Sequence, residues 1–478
     1  MSQRQRKSRR RPASKLINGS SKPSTVPSIP QLSADVLCLI FKHARPDESE
    51  ADAQADSEAL PRYPYNLAAV CKEWREALFL NPAFSVASTF YVDSINPTPP
   101  HHVISFLEWS KHLMITVEVK RSPEAEAEAA NSDRQEGKRT RAIINALKPH
   151  VHRCLSITFD VIHGSSLPSL SRDLFDISPH LQELVLRCKS DDGPPARLEK
   201  IGPVQGLGSQ PKPGRVLLSG HTIHDAIENV PQIFNCLTGT TSLGFCCFNY
   251  EKYSEFPTYK FATDLFDAFQ YPDTLESGTL LNLNIPYETH QRARYLSLPR
   301  AKKLLLSGNN NSTMRTIFKH FDFRAVTSLS IEHCSLSGVS IIGDPGSLSL
   351  KGITSDLIEP LLSWRGSFIY LIDAPTATDT LLVHLTSSAV QHVFLDECPN
   401  ISVGGLQRLC IRRKIPGHLQ IMTLCVCGAS PLTPYEDVKD LSLLVGEGFT
   451  GKSGYFEWRG HTLGCPHDHS SGDSPRPV

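Results

Sequence analysis

Two stretches near the amino end of the chain repeat apolar residues at the spacing of an α-helix. The first follows Ser33, a suitable N-cap. Its apolar positions are Val36, Leu37, Ile40 and Phe41. The second covers residues 66–78 and stops before Pro82, which has no N–H to continue a helix. Its apolar positions are Leu67, Val70, Cys71, Trp74 and Leu78. The pattern predicts two amphipathic helices here.

From about residue 101 onward, apolar residues alternate in short segments, which is typical of half-buried β-strands. The clearest segment is Val390-x-x-Val393-x-Leu395-x-x-Cys398. Three others end the same way, with Leu304, Leu306 and Asn309; Leu329, Ile331 and Cys334; and Met422, Leu424 and Cys427. Weaker pairs are Leu113/Ile115, Leu155/Ile157, Leu184/Leu186, Val216/Leu218, Leu243/Phe245, Leu281/Leu283, Leu348/Leu350 and Ile369/Leu371. We expect each pair to point into a core, and each final cysteine or asparagine to bond backbone groups where the chain leaves the strand.

These segments resemble the leucine-rich-repeat signature L-x-x-L-x-L-x-x-N/C. The resemblance spans about residues 101–445 and implies an irregular α/β solenoid, horseshoe-like, in which stacked strands form a parallel sheet. Segments from Leu281 onward start 19 to 29 residues apart, and upstream ones 27 to 42. We therefore expect insertions in the early repeats, at about 122–139 and 191–214.

The two helices carry a second resemblance. The stretches "IPQLSADVLCLIF" and "LAAVCKEWREALFLNPAFSVAST" resemble the F-box, a small all-α three-helix motif, over residues 29–90. Ile29 stands where the family has leucine, and an acidic insertion at about 45–64 separates the helices. The resemblance implies docking on the Skp adaptor through Pro30, Leu32, Val36, Leu37, Ile40, Val70, Cys71 and Trp74. Some of these must form the motif's own core, and the sequence does not separate the two groups.

An F-box followed by leucine-rich repeats resembles the substrate-recognition subunits of SCF-type cullin–RING E3 ubiquitin ligases. The resemblance implies the Skp adaptor, and through it cullin, as partners, with the repeats binding an unidentified target protein and the chain itself performing no catalysis. Outward strand positions show no single charge or aromatic theme, so the target is not predicted. The alternative is a leucine-rich-repeat interaction scaffold without a ubiquitin role, in which the helical hairpin only caps the solenoid.

Composition narrows the class of protein. The chain has 49 basic and 49 acidic residues, and this balance argues against nucleic-acid binding by the whole chain. Its 13 scattered cysteines, without a secretory signal, indicate reduced thiols in the cytoplasm and/or nucleus. No apolar run reaches 18 residues, so no membrane span is expected. Residues 1–28 hold seven basic residues and no acidic one, and we expect a disordered tail that is either a nuclear-import patch or simply solvated.

Two motifs in the expected C-terminal tail, residues 446–478, suggest chemistry. Gly446–Ser453 matches the phosphate-binding loop G-x-x-x-x-G-K-[ST], which makes a nucleotide hydrolase using Lys452 a third hypothesis. The residues that follow lack a helical pattern to hold phosphate, so a glycine-rich exit loop is the better interpretation. A zinc site needs four ligands at compact spacing. This spacing is not found in the second motif, which consists of His461, Cys465, His467 and His469 with Cys425-x-Cys427 upstream. No cofactor, metal or catalytic residue is predicted.

Overall fold

The computed structural model describes residues 32–44, 64–127, 133–174, 177–193, 212–229, 237–253, 265, 267–270, 272–287, 296–298, 300–341, 345–386, 388–413, 423–427, 449–452 and 455–458. Several predicted features lie outside these ranges: Pro30, the tail 1–28, most of the acidic insertion, residues 194–211 of the second insertion, and the four histidine and cysteine residues from His461 to His469. Within them the helices are α1 (Ala34–His43), α2 (Tyr65–Ala68), α3 (Lys72–Leu80), α4 (Pro100–Trp109), α5 (Pro123–Ala127), α6 (Glu136–Leu147), α7 (Gly220–Asn229), α8 (Asn311–His320), α9 (Ile358–Leu361), α10 (Asp379–Leu385) and α11 (Val403–Arg413).

Strands and helices alternate along most of the chain, which makes the protein α/β. The strands of the described ranges are β1 (Ala87–Tyr91), β2 (Ile115–Lys120), β3 (Cys154–His163), β4 (Glu183–Ser190), β5 (Arg215–Ser219), β6 (Ser242–Asn249), β7 (Ser277–Asn284), β8 (Leu296–Ser297), β9 (Lys303–Ser307), β10 (Phe321–Asp322), β11 (Ser328–Glu332), β12 (Ser347–Lys351), β13 (Phe368–Ile372), β14 (His392–Asp396), β15 (Thr423–Cys427), β16 (Phe449–Lys452) and β17 (Tyr455–Trp458). Thirteen of them, β1–β7, β9 and β11–β15, form a parallel sheet in chain order. The strands β17 and β16 extend it with antiparallel pairing, and β8 pairs with β10 separately.

Inward-pointing residues of neighbouring strands lie in register and are buried against the helices. On β9 and β11, for example, Leu304 pairs with Leu329 and Leu306 pairs with Ile331. Such rows form one continuous core cluster, because each strand adds its apolar pair to that of its neighbour. The predicted pairs that are confirmed are Leu184/Leu186, Val216/Leu218, Leu243/Phe245, Leu304/Leu306, Leu329/Ile331, Leu348/Leu350, Ile369/Leu371 and Val393/Leu395.

Four predicted pairs are wrong in register. The aligned pairs are Val117/Val119 instead of Leu113/Ile115, Ile157/Phe159 instead of Leu155/Ile157, Gly278/Leu280 instead of Leu281/Leu283, and Leu424/Val426 instead of Met422/Leu424. The alternation in β2 and β3 continues over more than two inward positions, so periodicity alone does not choose the aligned pair. In β7 a glycine takes an inward position, because a Cβ on Gly278 would lie 2.8 Å from Leu304 Cδ1.

Several predicted boundaries also need correction. The sheet begins at β1, inside the range 29–90 assigned to the helical motif and ahead of the range 101–445 assigned to the repeats. The expected insertion at 122–139 contains α5 and the first turn of α6, which packs against β3 as an ordinary crossover helix does. The expected tail contains β16 and β17. Their aromatic residues favour strands, so Phe449–Lys452 is a strand and not an exit loop.

A left-handed backbone residue occupies one register position in seven successive strands of the parallel sheet, inside β6 and β7 and directly after the last residue of the other five. It follows the second inward residue by two places, and the seven are Cys247, Asn282, Gly308, His333, Gly352, Asp373 and Glu397, with φ between 47° and 65°. The N–H of Gly308 donates to the Glu332 carbonyl (2.9 Å), and the N–H of Gly352 donates to the Ile372 carbonyl (2.9 Å). At these positions the pairing therefore continues up to the point where the chain turns away from the strand.

The residue after this turn bonds backbone groups of a neighbouring strand, as predicted. The buried Asn309 amide accepts from the Leu283 N–H (2.8 Å) and donates to the Leu280 carbonyl (2.9 Å). The Cys334 and Cys398 thiols donate to the carbonyls of Leu306 (3.6 Å) and Leu371 (3.4 Å), and burial raises the pKa of both thiols to about 11. Cys427 differs in register from these residues, because it is the last residue of β15, opposite Asp396, two places before the position of Cys398.

Candidate functional site

The N-terminal helical unit, residues 32–44 and 64–85, has a small core of its own. Phe41 is fully buried at its centre, with edge-to-face contacts to Trp74 (5.1 Å between centroids) and Phe84 (5.7 Å). Leu37 and Leu78 complete the middle of this core, and Ala77 is small enough to let the helices approach. The predicted cap is present, since the Ser33 hydroxyl accepts from the Val36 N–H (3.4 Å). The unit therefore folds around the α1 face that carries Leu37 and Phe41.

A second apolar stripe of α1 stays in contact with solvent. Leu32 lies just before the Ser33 cap of α1, and Val36 and Leu39 follow inside the helix at a three-residue spacing that aligns their side chains along one face. Their exposed fractions are 48%, 41% and 56%. Isolated exposed leucines are ordinary, whereas a row of large apolar side chains on one helix is typical of an interaction surface. The stripe is the candidate functional site.

Residues 66–78, predicted as one helix, form two. Cys71 is extended (φ −158°, ψ 178°) and is the N-cap of α3, so α2 ends before it. A hydrogen bond with the Cys71 side chain lowers the pKa of the Glu73 carboxyl in the first turn of α3. An acidic residue in the first turn of a helix, here Glu73, is a helix-start signal that the apolar spacing concealed. The break leaves Val70 exposed (59%) between the two helices.

The structure separates the residues expected to face an adaptor into three groups. Leu32, Val36 and Val70 are exposed, and Leu37 is buried in the core of the helical unit. Ile40, Cys71 and Trp74 are half-buried, and Ile40 and Trp74 pack against that core. Pro30 lies outside the described residues. Sequence reasoning missed three further exposed apolar residues of the unit, Leu39, Phe79 and Leu80.

The helical unit is attached to the β1 end of the sheet through α4. The buried Tyr65 hydroxyl donates to the His102 carbonyl (2.6 Å), and its ring stacks on the His102 imidazole (4.5 Å between centroids). Burial raises the pKa of Tyr65, so its hydroxyl remains a donor. Trp109 packs against both the core of the unit and the core of the sheet. These contacts hold the unit at the β1 end of the sheet while the α1 stripe remains uncovered.

The candidate chemistry near the carboxyl end finds no support in the described residues. Lys452 closes strand β16, which turns back into β17, so no helix begins there to hold a phosphate. Among the residues that the structure describes, no group of three or more histidine, cysteine, aspartate or glutamate side chains is placed to hold a metal ion. The cysteines of the described ranges are free thiols.

Comparisons with known proteins add no further assignment. No protein-family model matches the chain, and no curated protein sequence matches it. In the part of the chain that the structure describes, no helix is long and apolar enough to cross a membrane. The α/β fold with its long parallel sheet and the exposed α1 stripe are therefore the observations on which a function has to rest.

Proposed function

We propose that this protein is the substrate-recognition subunit of an SCF-type cullin–RING E3 ubiquitin ligase. The N-terminal helical unit is an F-box that docks on the Skp adaptor, and the parallel sheet with its helices is an irregular leucine-rich-repeat solenoid that binds the target protein. The chain performs no catalysis; it holds a target close to the ubiquitin-conjugating enzyme and so raises the effective concentration of the reactants. Free thiols throughout the described ranges fit a reducing compartment, the cytoplasm or the nucleus.

The exposed α1 stripe is the single observation that carries this proposal. Val36 and Leu39 each keep roughly half of their surface in water although a core lies on the other side of the same helix. Covering that exposed half stabilises a complex by about 1 kcal/mol for each side chain. A few such residues give a docking surface that is small and apolar, and Val70 is a further exposed apolar residue of the same helical unit.

The alternative function, a scaffold in which the unit only caps the solenoid, is favoured by the contacts of Tyr65 and Trp109 with the first repeat. A cap buries its apolar residues against the end of the array. Exposure of Leu32, Val36 and Leu39 has no role in such a cap. We therefore prefer the receptor, since it accounts for both the attached face and the exposed face of the unit.

Co-expression with a Skp-family adaptor tests the proposal. We expect the wild-type chain to retain the adaptor through affinity and size-exclusion chromatography, and a chain with Leu32→Asp and Val36→Asp to lose it. Both positions are solvent-exposed, and an aspartate in the first turn of α1 suits the helix dipole, so this variant should fold. The matched control is Ile104→Asp, an equally exposed apolar position on α4 (47%). Equal retention by all three chains, or by none, would show that the docking proposal is wrong.

A further inference from the structure

Strand β5 is shorter than its two neighbours at the end where the chain leaves the sheet. Its pairing with β4 ends at Leu218, opposite Leu186, and Gly220 already begins α7. Strands β4 and β6 run on past this point, and they also contact each other. A Cβ added to Gly220 would lie 2.8 Å from the Phe248 Cα, so a glycine is needed for β6 to approach the end of β5 this closely.

Three cysteines, here called the thiol cluster, lie around the end of β5. Cys188 on β4 and Cys247 on β6 each follow the second inward residue of their strand by two places, so they occupy the same register position on either side of Gly220. Cys246 lies opposite Ser219, the last residue of β5. The side chains of Cys188 and Cys246 both interact with that of Cys247, and all three are buried free cysteines.

The surroundings of the thiol cluster make Cys247 a thiolate and leave Cys188 a thiol. Hydrogen bonds from Cys188 and Cys246 hold the pKa of Cys247 well below its usual range, although burial acts in the opposite direction. Asn282 on β7 and the Arg187 guanidinium lower the pKa of Cys247 further. The pKa of Cys188 is raised by its hydrogen bond to Cys247 and by burial, so Cys188 keeps its proton at pH 7. Cys247 is also the most exposed member, at 7% against 1% for each of the others, so a small electrophile meets this thiolate first.

Cys188 is the partner with which Cys247 can form a disulfide. The two Cα atoms that a disulfide joins usually lie about 4.4–6.8 Å apart. Cys246 is excluded as the partner, because the peptide bond holds the Cα atoms of neighbouring residues at about 3.8 Å. Cys188 and Cys247 share a register position on strands that contact each other, and their side chains already interact. A bond between them would cross-link β4 to β6 beyond the end of β5.

We propose that hydrogen peroxide converts Cys188 and Cys247 into a reversible disulfide. The Cys247 sulfur attacks one peroxide oxygen: the S–O bond forms, the O–O bond breaks, and hydroxide leaves and takes a proton from solvent. The Cys188 sulfur then attacks the resulting sulfenic acid, and the S–S bond forms while the hydroxyl group leaves with the Cys188 proton as water. The two sulfurs together lose two electrons, and the peroxide is reduced to two molecules of water. The site involves no residue of the N-terminal helical unit, so it does not rest on the proposed function.

Disulfide mapping by mass spectrometry of the full-length chain tests the proposal. The protein is treated with a small excess of hydrogen peroxide at pH 7, its remaining thiols are alkylated, and it is digested with pepsin, because low pH stops thiol–disulfide exchange. We expect a cross-linked peptide pair that joins Cys188 to Cys247, a loss of two alkylated cysteines, and recovery of both after dithiothreitol. Cys334 and Cys398, which are buried thiols bonded to backbone carbonyls, are internal controls and should stay alkylated.

Serine variants identify the two sulfurs. Cys247→Ser should abolish the cross-link, whereas Cys398→Ser, the same change at a buried thiol beyond β14, is the matched control and should keep it. Cys188→Ser keeps the thiolate and removes the second thiol, so oxidation should stop at the sulfenic acid of Cys247, which dimedone traps; this variant decides the matter even if Cys247→Ser fails to fold. No cross-link in the wild-type chain, a cross-link that survives Cys247→Ser, or a disulfide at Cys247 in the Cys188→Ser chain would overturn the proposal.

Discussion

Replacing Asn309 by alanine should destabilise the protein far more than the same change at Cys334, which occupies the equivalent position of the next strand. The Asn309 amide is the partner of the Leu283 N–H and of the Leu280 carbonyl, and all of these groups are buried. Asn309→Ala removes the side-chain partner of both backbone groups at about 1–3 kcal/mol each, or about 2–6 kcal/mol together. The Cys334 sulfur forms weaker bonds, since it donates to the Leu306 carbonyl at 3.6 Å and accepts from the Asn309 N–H at 3.4 Å, and their loss should cost about 1–2 kcal/mol.

Urea unfolding followed by circular dichroism gives the two losses of free energy. Hydrogen exchange then locates them, since the Leu283 amide should lose protection in the Asn309 variant and keep it in the Cys334 variant. The reasoning fails if the two variants differ by less than about 0.5 kcal/mol, the ordinary scatter of substitutions that touch nothing special. It also fails if protection at Leu283 is unchanged.

Three further predictions concern the core of the helical unit, the left-handed residues of the sheet and His392. Leu37→Ala should reduce the free energy of unfolding by about 2–5 kcal/mol and Val36→Ala by less than about 0.5 kcal/mol, because only Leu37 is buried. Similar losses of free energy for the two variants in urea unfolding would refute the division between the core and the exposed stripe of α1. Gly352→Ala should lower the melting temperature, since the φ of Gly352 is +61° and an added Cβ would lie 2.2 Å from His333 Nδ1. Glu397→Gly, at the equivalent position of β14, should raise the melting temperature. A higher melting temperature for the Gly352 variant than for the Glu397 variant would contradict the left-handed turn. Burial lowers the pKa of His392 below its unfolded value, so the unfolded chain takes up the proton first and stability falls as the pH drops below about 6.5. His392→Phe keeps a ring on Phe368 and should lose less stability between pH 7.5 and 5.5 than the wild type does. Identical pH profiles of stability would count against the buried neutral imidazole.

Periodicity in the sequence predicts much of the sheet because each strand brings an inward apolar pair. It fails where an inward residue is not apolar, as at Gly278, whose place is filled from the neighbouring strand by Leu304. It also fails where alternation runs on, as in β3, because hydrogen bonding between strands then decides which residues align. Register is a property of strand pairs, and a single strand does not contain it.

The candidate site was predictable in part. The sequence indicates an amphipathic α1, yet spacing alone places Val36 and Leu37 on one apolar face, while packing buries one and exposes the other. Only the position of Phe84 and Trp74 around Phe41 shows which side of the helix is the core. The stacking of Tyr370 on Phe394 was not predictable from local pattern, since the two rings meet only through the pairing of β13 with β14.

Titration calorimetry of a purified Skp-family adaptor into the full-length protein tests the central claim most directly. The account predicts a one-to-one complex whose affinity falls at least about tenfold with Val36→Asp, equivalent to about 1.4 kcal/mol, and is unchanged with Ile104→Asp. No heat of binding with the wild-type chain, or the same affinity for all three proteins, would contradict docking through the exposed α1 stripe.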